Sequence, residues 1–288
     1  MNRFDLHMHT THSDGQKTPR ELFDLAKRKG LEIVAVTDHD TVDGFAECEG
    51  EAQRVGIRAI PGIELSAEYQ PGTMHVLGYF LDAQAPSFAK PLAEVQQARR
   101  ERNPMIIEKL RALGIDITLA EVVAASGGGQ VGRPHFASVL IEKGYAKDNE
   151  AAFERYLKKG APAYVDKRRL TPADCIDMIH GAGGVAVVAH PVQLRAGDGA
   201  ATRKVIRELA DAGLDGIEVY HSSHGKSEVD LYKLLAGEHG LLATGGSDYH
   251  GPHHQHRDLG MLALGHELSK SVISEMEARA AAHRNGAA

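Results

Sequence analysis

Histidines and carboxylates recur in this chain as short, spaced groups. His7 and His9 lie two apart in Asp5-Leu6-His7-Met8-His9-Thr10. Strand side chains alternate, so both imidazoles point to one face. Asp14 follows in Ser13-Asp14-Gly15, and Thr37-Asp38-His39-Asp40 ends an apolar, β-branched run. Ionisable groups ending a buried strand are unfavourable unless they meet a cation or one another. Gly62-Ile63-Glu64, His75 between the apolar Met74 and Val76, Ala189-His190-Pro191 and Ser247-Asp248-Tyr249-His250 complete the pattern. This imidazole–carboxylate set without thiolate suits zinc, manganese or iron better than a cysteine-type structural zinc. The nine candidates, His7, His9, Asp14, His39, Glu64, His75, His190, Asp248 and His250, exceed what one ion takes. Two or three metals sharing a carboxylate is the economical reading.

Such side chains need strands that end in one place. Phe4 to Thr10 reads as a strand, and Thr18-Pro19-Arg20-Glu21 opens a helix with a capping box. Leu31–Val36 reads as a strand buried on both faces, followed by a helix to Val55 and a strand over Ile57–Leu65. Pro71-Gly72 predicts a hairpin into a strand over Met74–Leu81. After Thr171 the alternation resumes, with strands expected at Val185–Ala189, Ile217–Tyr220, Leu241–Thr244 and Met261–Leu264. Helices fall between them, and the last spans Ser269–Ala282. Repeated βα units predict an α/β protein with a largely parallel sheet, and their number favours a barrel over an open sheet. Residues 86–164 break the pattern with helical stretches only. We therefore divide the chain into a barrel, 1–85 and 165–288, and a small helical insertion, 86–164, covering one end of it.

Composition narrows the function. The 288 residues include 17 His against 8 Tyr, 7 Phe and no Trp, so imidazole serves more than core packing. A net charge of −6 argues against a nucleic-acid clamp held by bulk charge. Two cysteines, Cys48 and Cys175, match neither a disulfide scaffold nor a paired-Cys zinc site. The N-terminus has no apolar signal-peptide region, and no apolar run approaches membrane-span length. A cytoplasmic protein with no membrane association and no stable protein partner is the expectation.

The motif series, in this order and over nearly the whole chain, resembles the PHP (polymerase and histidinol phosphatase) metallophosphoesterases. That resemblance implies a distorted (β/α)7 barrel and three divalent metals, manganese first, with zinc, iron or magnesium as alternatives. It implies His7, His9, Glu64 and Asp248 at one metal, and Glu64 bridging to a second held by His75 and His190. Asp14, His39 and His250 would hold the third. Glu64, His190 and Asp248 would act in catalysis through metal-activated water.

Gly132-Arg133-Pro134-His135, Ala163-Tyr164-Val165 and Glu218-Val219-Tyr220 with His224 resemble a bacterial subgroup of that family. Its members act as nucleoside 3′,5′-bisphosphate phosphatases or as 5′–3′ exoribonucleases on short RNA. The expected activity is removal of the 3′-phosphate from a nucleoside 3′,5′-bisphosphate. Short-RNA trimming and a histidinol-phosphatase type of activity are alternatives. An amidohydrolase-type deaminase also opens with His-x-His, but no strand-end Lys is placed to bridge metals here. Arg133 can fork a phosphate, and His135, His224, Ser222 and Ser223 are further candidate substrate contacts. Arg99-Arg100-Glu101-Arg102-Asn103 reads as a solvated helix face, or as the seat of a second phosphate. Asp38 and Asp40 read as orienters of imidazoles, and His253-His254-Gln255-His256 as a solvated loop.

Overall fold

The computed structural model describes residues 4–166, 169–252 and 258–286. Seven strands form one sheet in sequence order: β1 (Phe4–Met8), β2 (Ile33–Val36), β3 (Arg58–Ala67), β4 (Met74–Tyr79), β5 (Val185–Val188), β6 (Gly216–His221) and β7 (Leu242–Gly246). The sheet curls until its edges meet. Asp248 N–H donates to His7 O at 2.8 Å and His9 N–H to Tyr249 O at 2.9 Å, giving a nearly closed, distorted barrel. All pairings are parallel except those of β4, which runs antiparallel to β3 and β5. The hairpin at Pro71-Gly72 accounts for the reversal.

Helices α1 (Pro19–Arg28), α2 (Phe45–Val55), α7 (Pro172–Gly181), α8 (Gly199–Asp211), α9 (Lys226–His239) and α10 (Lys270–Gly286) accompany the strands. Capping chemistry sets their starts. Thr18 and Thr171 accept the main-chain N–H of Glu21 and Asp174, whose carboxylates return to the threonine N–H groups. Phe4, Leu6, Tyr79, Val185 and Val187 pack with Ile273 and Met276 of α10. Burying each such side chain contributes about 1.5–3 kcal/mol.

Between β4 and α7 come α3 (Pro86–Ala112), α4 (Leu119–Ala125), α5 (Arg133–Glu142) and α6 (Asn149–Ala152), the last running into a π-turn over Phe153–Leu157. Phe88 and Leu92 of α3 join the barrel core, whereas Ile106, Leu110, Phe136, Leu140 and Leu157 form a separate apolar cluster. The strand expected at Met261–Leu264 is absent. Met261 N–H bonds back to Asp258 O, and a 3-10 turn follows over Ala263–Gly265. Leu262 and Ala263 are buried, so the apolar run fills the core without extending the sheet. Among the described residues no helix is long and apolar enough to cross a membrane.

Candidate metal centre

Each candidate arrives at one end of the barrel. His7 and His9 lie on and just after β1, His39 follows β2, and Glu64 lies within β3, bridged to His39. Because β4 runs backwards, its second residue reaches the same end, and His75 sits opposite Ser66. His190 follows β5, while Asp248 and His250 follow β7. A Cβ on Gly246 would fall 2.2 Å from the His7 Cβ, so only glycine lets β7 pass this close to β1. Asp40, His190 and Asp248 adopt left-handed backbone at φ 51°, 26° and 53°, strain that concentrates at functional sites.

Glu64 is the hub and is fully buried. Five imidazole nitrogens surround its carboxylate: His75 Nδ1 at 2.7 Å, His190 Nε2 at 2.9 Å, His39 Nδ1 at 3.0 Å, His9 Nε2 at 3.2 Å and His7 Nε2 at 3.3 Å. Asp248 Oδ1 lies 3.4 Å from His7 Nε2 and 3.2 Å from His9 Nε2. Asp14 lies 3.3 Å from His250 Nε2, and 3.9 Å from both His9 Nδ1 and His39 Nε2. All nine residues thus come together, eight in overlapping groups and His190 joined to them through Glu64. Two sit astride the groups expected: His9 reaches both Asp248 and Asp14, and His39 both Asp14 and Glu64.

Buried nitrogen lone pairs facing carboxylate oxygens repel unless a proton or a cation lies between them. His7 Nε2, both nitrogens of His9, His39 Nδ1, His190 Nδ1 and Glu64 Oε2 are buried without a hydrogen-bond partner. Burial would raise the Glu64 carboxyl, but His39, His75 and His7 hold it well below the carboxylate range. Asp14, beside His39 and His250, and Asp248, beside His7 and His250, are likewise held ionised against burial. Three carboxylates amid six imidazoles, with orphaned donor atoms converging, fit oxygen- and nitrogen-liganded divalent metals.

Residues behind the cluster fix its orientation. His7 Nδ1 donates to Glu218 Oε1 at 3.0 Å, leaving the Nε2 lone pair toward Glu64 and Asp248. Glu218 Oε2 accepts the His190 main-chain N–H at 2.7 Å. Despite complete burial, His7 and His221 bring the Glu218 carboxyl down to about 2. His250 Nδ1 donates to Asp248 O at 2.9 Å, which turns Nε2 toward Asp14. His221 is fully buried with Nε2 3.4 Å from Asp248 Oδ2; its Nδ1 accepts from the Ser223 hydroxyl and N–H.

The sequence reading assigned no role to Glu218 or His221. The signal was a carboxylate in the apolar run Ile217-Glu218-Val219, closed by a histidine at the strand end.

The candidate substrate contacts divide. Arg133 stacks over Phe153 and Tyr164 and donates to Leu157 O at 3.2 Å. His135 Nδ1 accepts the Gly132 N–H at 2.9 Å. Ser222 donates to Ser247 O at 3.0 Å, beside Asp248. His224 is buried; Nδ1 donates to Val219 O at 2.8 Å, Nε2 has no partner, and burial pushes the ring down to about 4. The Asp38 carboxylate holds the loop after β1, and the Asp40 carboxylate holds β3 and α3. Asp38 accepts from Thr10 N–H and the Thr10 and Ser13 hydroxyls, and Asp40 from Ser66 and Arg99. The His253–His256 run lies outside the described residues.

Arg99 and Arg102 are not on a solvated face. Spaced three apart on α3, both are buried, while Arg100 and Glu101 between them are exposed. Arg102 Nη2 donates to the neutral Asn103 Oδ1 at 2.7 Å. Burial, with Arg99, Arg133 and Arg169 nearby, pushes its guanidinium down to about 9.

The PHP domain model matches residues 5–159. A 3′,5′-nucleoside bisphosphate phosphatase from Chromobacterium violaceum is 33% identical over 97% of this chain and 98% of its own. A 5′-3′ exoribonuclease from Haemophilus influenzae is 33% identical over 96% of this chain and 98% of its own. The solved structure of an amidohydrolase from Chromobacterium violaceum, with sulfate and no metal bound, superposes with a TM-score of 0.86 at 34% identity, covering 96% of each chain.

Proposed function

This chain belongs to the PHP domain family of metal-dependent phosphoesterases, and from that premise we propose that it removes the 3′-phosphate of nucleoside 3′,5′-bisphosphates. The products are the 5′-monophosphate and phosphate. The carrying observation is a second cationic site beside the metal centre. Arg99, Arg102, Arg133 and Arg169 lie within one another's field, and Arg99 Nε is buried without a partner. Arg99 pairs with Asp40 and Arg169 with Asp166, whereas the buried Arg102 and the half-buried Arg133 ion-pair with no carboxylate among the described residues; such guanidiniums are unfavourable until an anion joins them. A 5′-phosphate seated there would present the 3′-phosphate to the metal centre. The relatives named for bisphosphate hydrolysis and exoribonuclease activity support this reading.

Three divalent metals, manganese foremost, would be held by the nine residues, and supply Lewis acidity and a hydroxide-strength nucleophile near neutral pH. Glu64, His190 and Asp248 would help hold the metals that supply it. Glu218 fixes the His7 tautomer, and the arginines of the 86–164 insertion orient the substrate and act as its lid. His224 Nε2, Ser223 and His135 flank this space as lesser contacts. We place the enzyme in the cytoplasm, where the buried thiols of Cys48 and Cys175, which form no disulfide, stay reduced.

The arginine site also favours a second reading, trimming of short RNA from a 5′-phosphorylated end, because the same anchor would seat that phosphate. Steady-state kinetics test both. Adenosine 3′,5′-bisphosphate is expected to have a far lower KM than adenosine 3′-monophosphate. Arg133→Ala or Arg102→Ala should remove that advantage. Equal constants for the two nucleotides would overturn the bisphosphate assignment. Release of mononucleotides from a 5′-phosphorylated trinucleotide reports the second activity.

A further inference from the structure

Asp40 joins the helical insertion to the residues around Glu64. Its side chain is buried and its backbone is left-handed, at φ 51°. Asp40 Oδ1 accepts the Ser66 N–H at 2.8 Å, and Oδ2 accepts the Ser66 hydroxyl at 3.0 Å and the Arg99 guanidinium. Its own N–H donates to Glu64 O at 2.9 Å. Its carbonyl accepts Gln96 Nε2 at 3.1 Å and Gln130 Nε2 at 3.2 Å. The Gln130 amide also reaches His39 O at 3.0 Å, and Gln130 N–H donates to His12 O at 2.8 Å. Partners from β3, α3 and the α4–α5 connection therefore meet on one residue, between His39 and the strand that carries Glu64.

A non-glycine residue persists in left-handed backbone only where its surroundings over-determine it. Here the surroundings include Arg99 and Gln130 of the insertion. Without them the Asp38–Asp40 segment can relax, carrying the His39 ring and the His39–Glu64 bridge out of place.

We infer that Asp40 is a positioning residue through which the insertion sets the metal affinity of the barrel, by way of Arg99 and Gln130. This rests on the reading of the nine-residue cluster as a metal centre and of Arg99 as part of the phosphate anchor. It adds a second task for Arg99, exerted without substrate.

The test uses the full-length chain stripped by chelation and titrated with Mn2+ in phosphate-free buffer, free Mn2+ being read by electron paramagnetic resonance. Asp40→Asn keeps an acceptor for Ser66 and tolerates the left-handed backbone, but loses the charge that holds Arg99. Asp40→Asn and Arg99→Met should weaken Mn2+ binding by about 10–100-fold. Arg99→Lys should restore most of it, and stripped Arg99→Met should keep the wild-type circular dichroism spectrum, with a lowered melting temperature from the unpaired Asp40. Should Asp40→Asn fail to fold, the Arg99 pair decides alone. Wild-type Mn2+ affinity in Arg99→Met, with only KM for the bisphosphate raised, overturns the inference and leaves Arg99 as a phosphate anchor. Failure of the anchor reading shows separately, as an unchanged KM in Arg102→Ala, and failure of the metal reading as a wild-type chain that binds no Mn2+.

Discussion

Replacing Glu218 with Gln tests how far the residues behind the cluster control it. The carboxylate gives one oxygen to His7 Nδ1 at 3.0 Å and the other to the His190 N–H at 2.7 Å. Gln matches the shape but offers one acceptor and two donors. If the amide oxygen faces His190, the NH2 group faces His7 Nδ1. The imidazole must then move its proton to Nε2, the atom directed at Glu64 and Asp248. If the amide is flipped, two N–H groups confront each other at His190 in a site with no water access. The first outcome removes a ligand lone pair; the second leaves a buried donor unmatched, at about 1–3 kcal/mol. Loss of such an orienting partner weakens metal binding or activity by about 10–100-fold, or about 1.4–2.8 kcal/mol at tenfold per 1.4. Mn2+ titration and kcat/KM at saturating metal should both fall by that order, with the melting temperature of the stripped protein lowered by a few degrees. A variant within twofold of wild type in both affinity and kcat/KM would refute the tautomer argument.

Glu64→Gln and His190→Asn are each expected to abolish turnover while the circular dichroism spectrum is kept; near-normal rates in either would remove Glu64 and His190 from the proposed centre. Chelation should eliminate phosphate release, and added manganese should restore it better than zinc or magnesium, whereas activity in a rigorously metal-free sample would contradict a metal mechanism. Metal loading should release protons. Burial pulls the His9 imidazole down, but the carboxylates of Asp248 and Glu64, each 3.2 Å from its Nε2, take it up to about 10 in the metal-free chain. That proton stabilises the stripped protein fully below the ordinary histidine value, about 6.5, and the benefit is lost as pH rises through about 10. Metal affinity should therefore climb with pH over that window, and calorimetry in two buffers of different ionisation enthalpy measures the proton; none released would refute it.

The nine clustered residues were legible because they interrupt, end or follow apolar strands, where a polar side chain is unfavourable unless it meets a partner. The α/β alternation and the hairpin at Pro71-Gly72 were legible for the same local reasons. Met261–Leu264 was not, since a short apolar run between Gly260 and Gly265 fills a core equally well as a turn. Arg99 and Arg102 were misread because burial of a helix face depends on what packs against it; the mixed charges conceal the stripe Leu92, Val95, Arg99, Arg102, Ile106, which is buried throughout. Asp38 and Asp40 stand beside His39 in sequence, yet their carboxylates serve the loop after β1 and residues of β3 and α3 that only the folded chain brings near. Glu218 carries its meaning in the register of β6 against β5, which no local spacing encodes.

The seam where β1 meets the segment after β7 joins residues made at very different times. Asp5 accepts from Ser247 N–H at 2.9 Å and from its hydroxyl at 2.6 Å, a contact spanning 242 residues. During synthesis, His7 and His9 emerge from the ribosome long before Asp248 and His250. An unfinished chain holds imidazoles but not the carboxylate that completes their group. Until β7 and the segment after it are made, Asp248 and His250 are missing from the cluster.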